Sequence, residues 1–171
     1  MNKSTIYWHV IYTRPKQERK IANELFKKQI TYFLPVINTV RQWHDRKKVI
    51  QTLLFPSYIF VCLKDKLEFF NSESITGVCS FVKFGKLHAK VDQSTIDQIS
   101  LVVNSDMQTD ISCDYYKPGE KLFIKAGPLN GLICELINKN GKDKYLVRVD
   151  LLNRNLLIDV HSSNLTTNAA F

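Results

Sequence analysis

Apolar residues occur in short runs along this chain, and the most apolar run is LLFPSYIFV at residues 53–61. Short runs rich in β-branched and aromatic residues between breakers are typical of strands. Strands are therefore predicted at residues 7–13, at 31–37 with a continuation through 39–43, at 53–63 and at 77–85. Apolar residues at helical spacing predict helices over residues 16–29 and 92–103, and a short helix with loops is expected within 64–76. The N-terminal part is thus predicted to be an α+β domain with an antiparallel sheet flanked by helices.

The pattern changes after residue 104. Residues 105–114 are polar and without periodicity, as expected of a linker between domains. Beyond them, short strands separated by turns are predicted at residues 121–126, 131–138, 145–152 and 156–161. Such close spacing favours a small SH3-like β-barrel. The predicted organisation is a domain at 1–104, a linker at 105–114 and a second domain at 115–171.

The strand at 53–63 carries apolar side chains on both faces. Ile59 and Val61 alternate onto one face, and Tyr58 and Phe60 onto the other. One face is expected to cover a helix-packed core. The second face is either exposed, which in a soluble protein marks a partner site, or covered as well.

The net charge of +8 lies entirely in the first third of the chain. Residues 1–60 hold eleven Lys and Arg against three acids, whereas the remaining residues hold equal numbers of each sign. This asymmetry suggests a polyanionic partner for the first domain, although a solubilising surface is the alternative.

Two basic clusters stand out within that third. Cations around the predicted start of the first helix oppose the helix dipole, so phosphate binding is the better explanation for them: Arg14, Lys16, Arg19 and Lys20. A second cluster lies at the tip of a predicted hairpin: Arg46, Lys47 and Lys48. Nucleic-acid contact, bracing of the loop and a solvated hairpin end remain open for this tip.

Catalytic chemistry finds little support. The four cysteines form no closely spaced pair, so neither a metal site nor a cofactor is expected. No nucleophile–base pair and no phosphate-cradling loop is present, so an enzyme is not expected. No apolar run reaches the roughly 20 residues of a membrane span, and no signal-peptide core begins the chain. A cytoplasmic protein without a membrane partner is expected.

The order of these elements resembles the N-terminal (NGN) domain of the NusG family of transcription elongation factors. The resemblance is carried by Phe55-Pro56-Ser57-Tyr58 and by GVCSFVKFG at 77–85. The segment YKPGEKLFI at 116–124 with AGPLNGL at 126–132 resembles a KOW motif. The segment QWHDRKK at 42–48 is most similar to specialised paralogues of the UpxY type, which act as antiterminators of long capsule-polysaccharide operons.

The resemblance implies a partner for each region. The first domain would bind the clamp helices of the largest RNA polymerase subunit through an apolar surface of five residues: Phe55, Tyr58, Phe60, Phe33 and Pro35. The start of the first helix would contact the exposed non-template DNA strand. The KOW domain would recruit a ribosomal protein or a termination factor, and a monomer is expected. A helical alternative state of the KOW domain is a further hypothesis.

One segment departs from the family pattern. Residues 68–72 lack the His-Thr-Thr run by which a specialised paralogue contacts the opposite polymerase lobe, and Phe69 and Phe70 either replace it or belong to the core. A different class of function also remains open, namely a KOW-containing RNA-binding protein associated with the ribosome. Co-purification with polymerase or with ribosomal subunits separates the two.

Overall fold

A computed structural model describes residues 7–42, 45–105, 109–112, 121–124, 133–139, 142–149, 154–158 and 165–166. The chain divides into two compact units. The first comprises Met1–Val36 and Leu53–Ile96, and the second comprises Ile37–Thr52 and Asp97–Phe171.

The helices and strands follow one another along the chain. Up to Glu73 they are β1 (Tyr7–Thr13), α1 (Glu18–Lys27), β2 (Thr31–Phe33), β3 (Val36–Gln42), β4 (Lys47–Leu53), β5 (Tyr58–Cys62) and α2 (Lys66–Glu73). They continue with β6 (Val78–Phe81), β7 (Lys83–Phe84), β8 (Leu87–His88), β9 (Val91–Asp92) and α3 (Gln93–Asn104). The last six strands are β10 (Thr109–Ser112), β11 (Lys121–Ile124), β12 (Ile133–Lys139), β13 (Lys142–Val149), β14 (Arg154–Ile158) and β15 (Leu165–Thr166).

The first unit is built on a five-stranded antiparallel sheet. Its strand order is β2-β5-β1-β6, and β9 also pairs with β1. Ile11, Ile59 and Val61 face the helices, where they form a buried cluster with Ile21 and Leu25 of α1. The predicted core face of β5 is therefore confirmed.

The opposite face of the sheet is also closed at its centre. Val10 and Phe60 are fully buried, and the rings of Phe33 and Phe55 lie 6.1 and 5.8 Å from that of Phe60. Of the two alternatives for the second face, coverage is found at Phe60, and two other contacts implied by the resemblance are also buried, namely Phe55, which is 1% exposed, and Pro35. The sequence left this open because alternation along a strand assigns faces but does not say what covers them.

The second unit contains two sheets in the part of the chain that the structure describes. β3 pairs with β4 in a two-stranded sheet, and the last six strands form an antiparallel sheet in the order β10-β14-β13-β12-β11-β15. The strands at 121–124, 133–139, 142–149 and 154–158 fall near their predicted positions. β10 lies within the predicted linker and was not anticipated, nor was β15. Cys134 is buried in this sheet, and burial raises the pKa of its thiol to about 11.

Several boundaries differ from the prediction. The first helix begins at Glu18 rather than at residue 16, because Pro15 and Lys16 form a turn before it. The predicted strand through 31–43 is divided at Leu34-Pro35 into β2 and β3, which belong to different sheets. The second long helix, α3, lies within one residue of its prediction.

The two phenylalanines of α2 differ in their burial. Phe69 stacks on Phe81 with ring centroids 4.2 Å apart, whereas Phe70 is 64% exposed. Phe69 therefore belongs to the core, whereas Phe70 lies on the surface, where replacement of the missing polymerase contact stays a prediction. None of the helices in the described part of the chain has the length and apolar content to cross a bilayer.

Candidate polymerase and nucleic-acid interface

Three loops of the first unit meet at the end of the sheet where β1 ends and β5 and β6 begin. The backbone N–H of Thr13 donates to the carbonyl oxygen of Ser57 at 2.9 Å, and that of Arg14 donates to the carbonyl oxygen of Gly77 at 2.9 Å. We refer to residues 13–18, 55–58 and 76–78 as the junction. Backbone hydrogen bonds hold its three segments together.

The central segment of the junction is a tight turn. Tyr58 N–H donates to Phe55 carbonyl oxygen at 3.2 Å, with Pro56 second and Ser57 third in the turn. Ser57 has φ 68°, as the third position of a type II turn requires, although glycine is the usual residue there. A left-handed conformation costs an L-residue about 1 kcal/mol, so the surrounding hydrogen bonds stabilise a strained backbone.

Glu18 supplies one of those hydrogen bonds. Its side chain is 3% exposed, and its Oε1 accepts from the N–H of Ser57 at 2.8 Å. An acid in the first turn of a helix is also stabilised by the helix dipole. The sequence interpretation considered only the cations at this helix start and missed the acid among them. The signal available was a single carboxylate surrounded by four bases.

Two of the predicted DNA-contacting cations, Arg14 and Lys16, lie in the junction, and Arg19 and Lys20 follow it in α1. Arg14, Lys16, Arg19 and Lys20 are all exposed. Arg14 and Lys16 precede the helix, so they oppose its dipole less than predicted, whereas Arg19 and Lys20 lie in its first turn. Lys16 has φ 65°. Glycine would adopt this conformation without strain.

The hairpin cluster is separate from the junction. Arg46 and Lys48 are exposed at the start of β4, in the second unit, while the side chain of Lys47 lies outside the described residues. Thr39 and Thr52 join the two strands through their hydroxyl oxygens, which are 2.8 Å apart. The three interpretations of this tip remain open.

An aromatic pair adjoins the junction on the second face of the sheet. Tyr12 and Tyr58 occupy directly paired positions of β1 and β5, and their ring centroids are 5.5 Å apart. Tyr12 is 41% exposed and Tyr58 is half-buried. Of the five predicted polymerase contacts, only Tyr58 and Phe33 retain accessible surface. Tyr12 was missed because its pairing with Tyr58 depends on strand register.

Gly77 allows the junction loops to approach closely. It has φ 101°, and a Cβ added there would lie 3.3 Å from both Gln17 Cβ and Ile21 Cδ1. Among the described residues, no cluster of three or more His, Cys, Asp or Glu side chains is arranged to hold a metal ion. The junction therefore offers hydrogen bonding, aromatic surface and positive charge.

Comparison with known proteins shows which family has this arrangement. The sequence model of the family described as transcription termination factor nusG matches residues 6–100, more than half of the 171 residues. The chain belongs to the NusG family. This NusG-family match covers the junction and the whole five-stranded sheet. NusG-family proteins are transcription factors rather than enzymes.

One solved structure supports the fold. The structure titled "Domain interaction in Thermotoga maritima NusG" is 16% identical and covers 94% of this chain and 96% of that chain, with a TM-score of 0.53. At this identity the likeness shows the fold alone, which is α+β with an antiparallel sheet and few helices. A chain of an MjSpt4:Spt5 complex is 14% identical and covers 93% of this chain and 96% of that one. Its TM-score of 0.31 is too low to indicate a shared fold.

Proposed function

We propose that this protein is a cytoplasmic antitermination and elongation factor that binds RNA polymerase through its first unit and exposed non-template DNA through the junction. It would suppress pausing or termination in specific long operons of the capsule-polysaccharide type, as the UpxY-type resemblance implies. The mechanism would be a shift of a conformational equilibrium of the polymerase, without bond chemistry. Membership of the NusG family supports the transcriptional role.

The observation that carries the polymerase contact is the accessible Tyr12–Tyr58 pair. Its rings lie 5.5 Å apart beside a closed apolar core, so a partner would gain aromatic contact area without any rearrangement of the sheet. Phe33 borders the same face with a half-buried ring. Phe55, Phe60 and Pro35 would support this surface from beneath, because all three are buried.

The DNA contact is supported by the junction cations. The backbone of Lys16 has φ 65°, a conformation that glycine would adopt without strain. A cation at a strained, exposed position supports a role for its charge, and single-stranded DNA is held by phosphate contacts together with base stacking. Arg46 and Lys47 of the hairpin are proposed as additional contacts.

The C-terminal region is proposed to be the KOW domain. Residues 115–171 would form a small SH3-like barrel that recruits a ribosomal protein or a termination factor, and β10, within the linker predicted at residues 105–114, pairs with its strand β14. Each strand from β11 through β14 pairs antiparallel with the next one along the chain, which supports this interpretation. A monomer is proposed.

Polymerase binding can be tested with a matched pair of aromatic substitutions. The combined change Tyr12→Ala and Tyr58→Ala is expected to lower retention of purified polymerase on the immobilised protein at least tenfold. Phe26→Ala is the control, because Phe26 is a 71% exposed aromatic residue on α1 outside the proposed surface. Undiminished retention by a folded double variant would falsify the docking surface. Retention of ribosomal subunits instead would favour the ribosome-associated alternative.

DNA contact can be tested by removing two positive charges either before the start of α1 or at its end. Arg14→Gln with Lys16→Gln is expected to weaken sequence-dependent recruitment to transcription complexes and to reduce the salt slope of single-strand binding by about 0.7 per lost phosphate contact. Lys27→Gln with Lys28→Gln removes the same charge at the other end of the helix. Equal effects of the two double variants would show that only net charge matters.

A further inference from the structure

The junction segment that carries the exposed cations is fixed at both of its ends. Thr13 N–H and Arg14 N–H bond to the two neighbouring loops at its start, and the Glu18 carboxylate bonds to Ser57 at its end. Arg14, Pro15 and Lys16 lie exposed between these points. The cations are therefore presented on a backbone whose two ends are held.

Both ends of this cationic segment form a hydrogen bond with Ser57. Its carbonyl oxygen accepts from Thr13 N–H at 2.9 Å, and its own N–H donates to Glu18 Oε1 at 2.8 Å. The next residue along the chain is Tyr58 of the exposed aromatic pair. The cationic segment and the aromatic pair are consequently joined through one strained residue.

Glu18 is not the choice that stability alone would favour. Burying a carboxylate costs free energy, which hydrogen bonds to backbone N–H groups offset only in part. A glycine at position 57 with an apolar residue at position 18 would remove both the strain at φ 68° and the buried charge. The observed pair carries both of these costs, but it also pairs the N–H of residue 57 and ties the helix start to the turn.

We propose that Glu18 is a positioning residue of the interface, which fixes the Tyr12–Tyr58 pair and the Arg14–Lys16 segment relative to one another by holding Ser57 N–H. This inference depends on the proposed function, since it concerns the same surface. Its consequence is that loss of the oxygen that accepts from Ser57 N–H weakens polymerase binding and DNA contact together, although Glu18 itself contacts neither partner.

Two substitutions that remove the same charge isolate the hydrogen bond. Glu18→Gln keeps an oxygen that can accept from Ser57 N–H, whereas Glu18→Met fills a similar volume and keeps helix propensity without an acceptor. Glu18→Asp is a second loss variant, because it keeps the charge but shortens the side chain. Any difference between the Gln and Met variants therefore reports the acceptor rather than the charge.

The full-length variants are compared for polymerase retention, DNA recruitment and hydrogen exchange of the Ser57 amide, at a temperature where circular dichroism shows each of them folded. Glu18→Met and Glu18→Asp are expected to weaken both binding activities about three- to tenfold and to speed Ser57 exchange by a similar factor. Glu18→Gln is expected to stay within about twofold of the parent protein in all three measurements.

Two other results would overturn the inference in distinguishable ways. If the Met and Gln variants bind alike while Tyr58→Ala and Arg14→Gln lower binding, the interface stands and Glu18 does not position it. If Tyr58→Ala and Arg14→Gln leave binding unchanged, the proposed function fails, and the role of Glu18 fails with it even if Ser57 exchange responds.

Discussion

The two ends of the five-stranded sheet are held by different kinds of interaction. Towards the end where β1 begins, ring packing dominates: Phe69 stacks on Phe81, and the ring of His88 lies 4.9 Å from that of Phe69. Trp8 adds a hydrogen bond from Nε1 to Gln93 Oε1 at 2.7 Å. At the junction end, the contacts that join the loops are made by backbone groups and one carboxylate.

This difference indicates where binding residues can be placed. A side chain that fills a core is not available to a partner, whereas a loop fixed through its backbone leaves its side chains free for recognition. At the ring-packed end, Phe81 is 3% exposed. At the junction end, Tyr12, Arg14 and Lys16 remain exposed although the backbone beneath them is ordered by hydrogen bonds.

The largest effect is expected from the ring-packed end. Phe81→Ala should lower the free energy of unfolding by about 3–5 kcal/mol, because a buried aromatic ring and its stacking partner lose their contacts. Tyr12→Ala, which truncates an exposed side chain on the neighbouring strand β1, should lower the free energy of unfolding by about 1 kcal/mol or less. Urea unfolding of both variants measures the contrast, and similar losses would mean that the two ends are packed alike.

A smaller effect is expected from a single methyl group in the junction. Gly77→Ala should destabilise the protein by about 2–3 kcal/mol, because φ 101° is unfavourable for alanine and its Cβ would crowd Gln17 and Ile21. Gly85→Ala is the control, since Gly85 has φ 60° and open space around it, and should cost about 1 kcal/mol. Equal losses in chemical denaturation would indicate that the junction loops yield to the methyl group.

One substitution at the junction is expected to stabilise. Thr13 is fully buried, and its Oγ1 has no hydrogen-bond partner. Thr13→Val replaces that hydroxyl with a methyl group of the same shape, so the free energy of unfolding should rise by about 1 kcal/mol. A melting temperature equal to or below that of the parent would show that the hydroxyl is satisfied in solution.

The smallest effect is a pH dependence at the ring-packed end. Burial lowers the pKa of His9 below its usual value of 6.5, with the nearby His88 and Lys90 acting in the same direction and the hydrogen bond to Ala89 opposing them. The unfolded chain therefore binds the proton more readily than the folded one, so stability is present above pH 6.5 and decreases as the pH falls below it. Urea unfolding at pH 7.5 and 5.5 should show this decrease, and His9→Gln should reduce it.

The sequence was sufficient for elements that depend on local patterns. α3 and the buried face of α1 follow from the spacing of Ile21, Leu25, Ile96 and Ile99, which are all buried. The assignment of Ile59 and Val61 to the core face likewise follows from alternation.

The parts that could not be predicted depend on contacts between distant residues. The Glu18–Ser57 hydrogen bond spans 39 positions, and the Tyr12–Tyr58 pairing depends on a register that alternation alone does not define. The covering of Phe60 by Phe33 and Phe55 also requires the tertiary arrangement of two further segments. The left-handed conformations of Lys16 and Ser57 fall on residue types that rarely indicate one.

The chain leaves the first unit after Val36 and returns at Leu53, and the N–H of Leu54 donates to the carbonyl oxygen of Pro35 at 2.9 Å. This hydrogen bond within the first unit joins the two ends of the β3–β4 segment. Because the entropic cost of closing a segment grows only slowly with its length, changes of length within residues 37–52 are expected to cost the first unit little free energy. A hairpin of a different length between Pro35 and Leu54 is expected to leave the five-stranded sheet and the junction as they are.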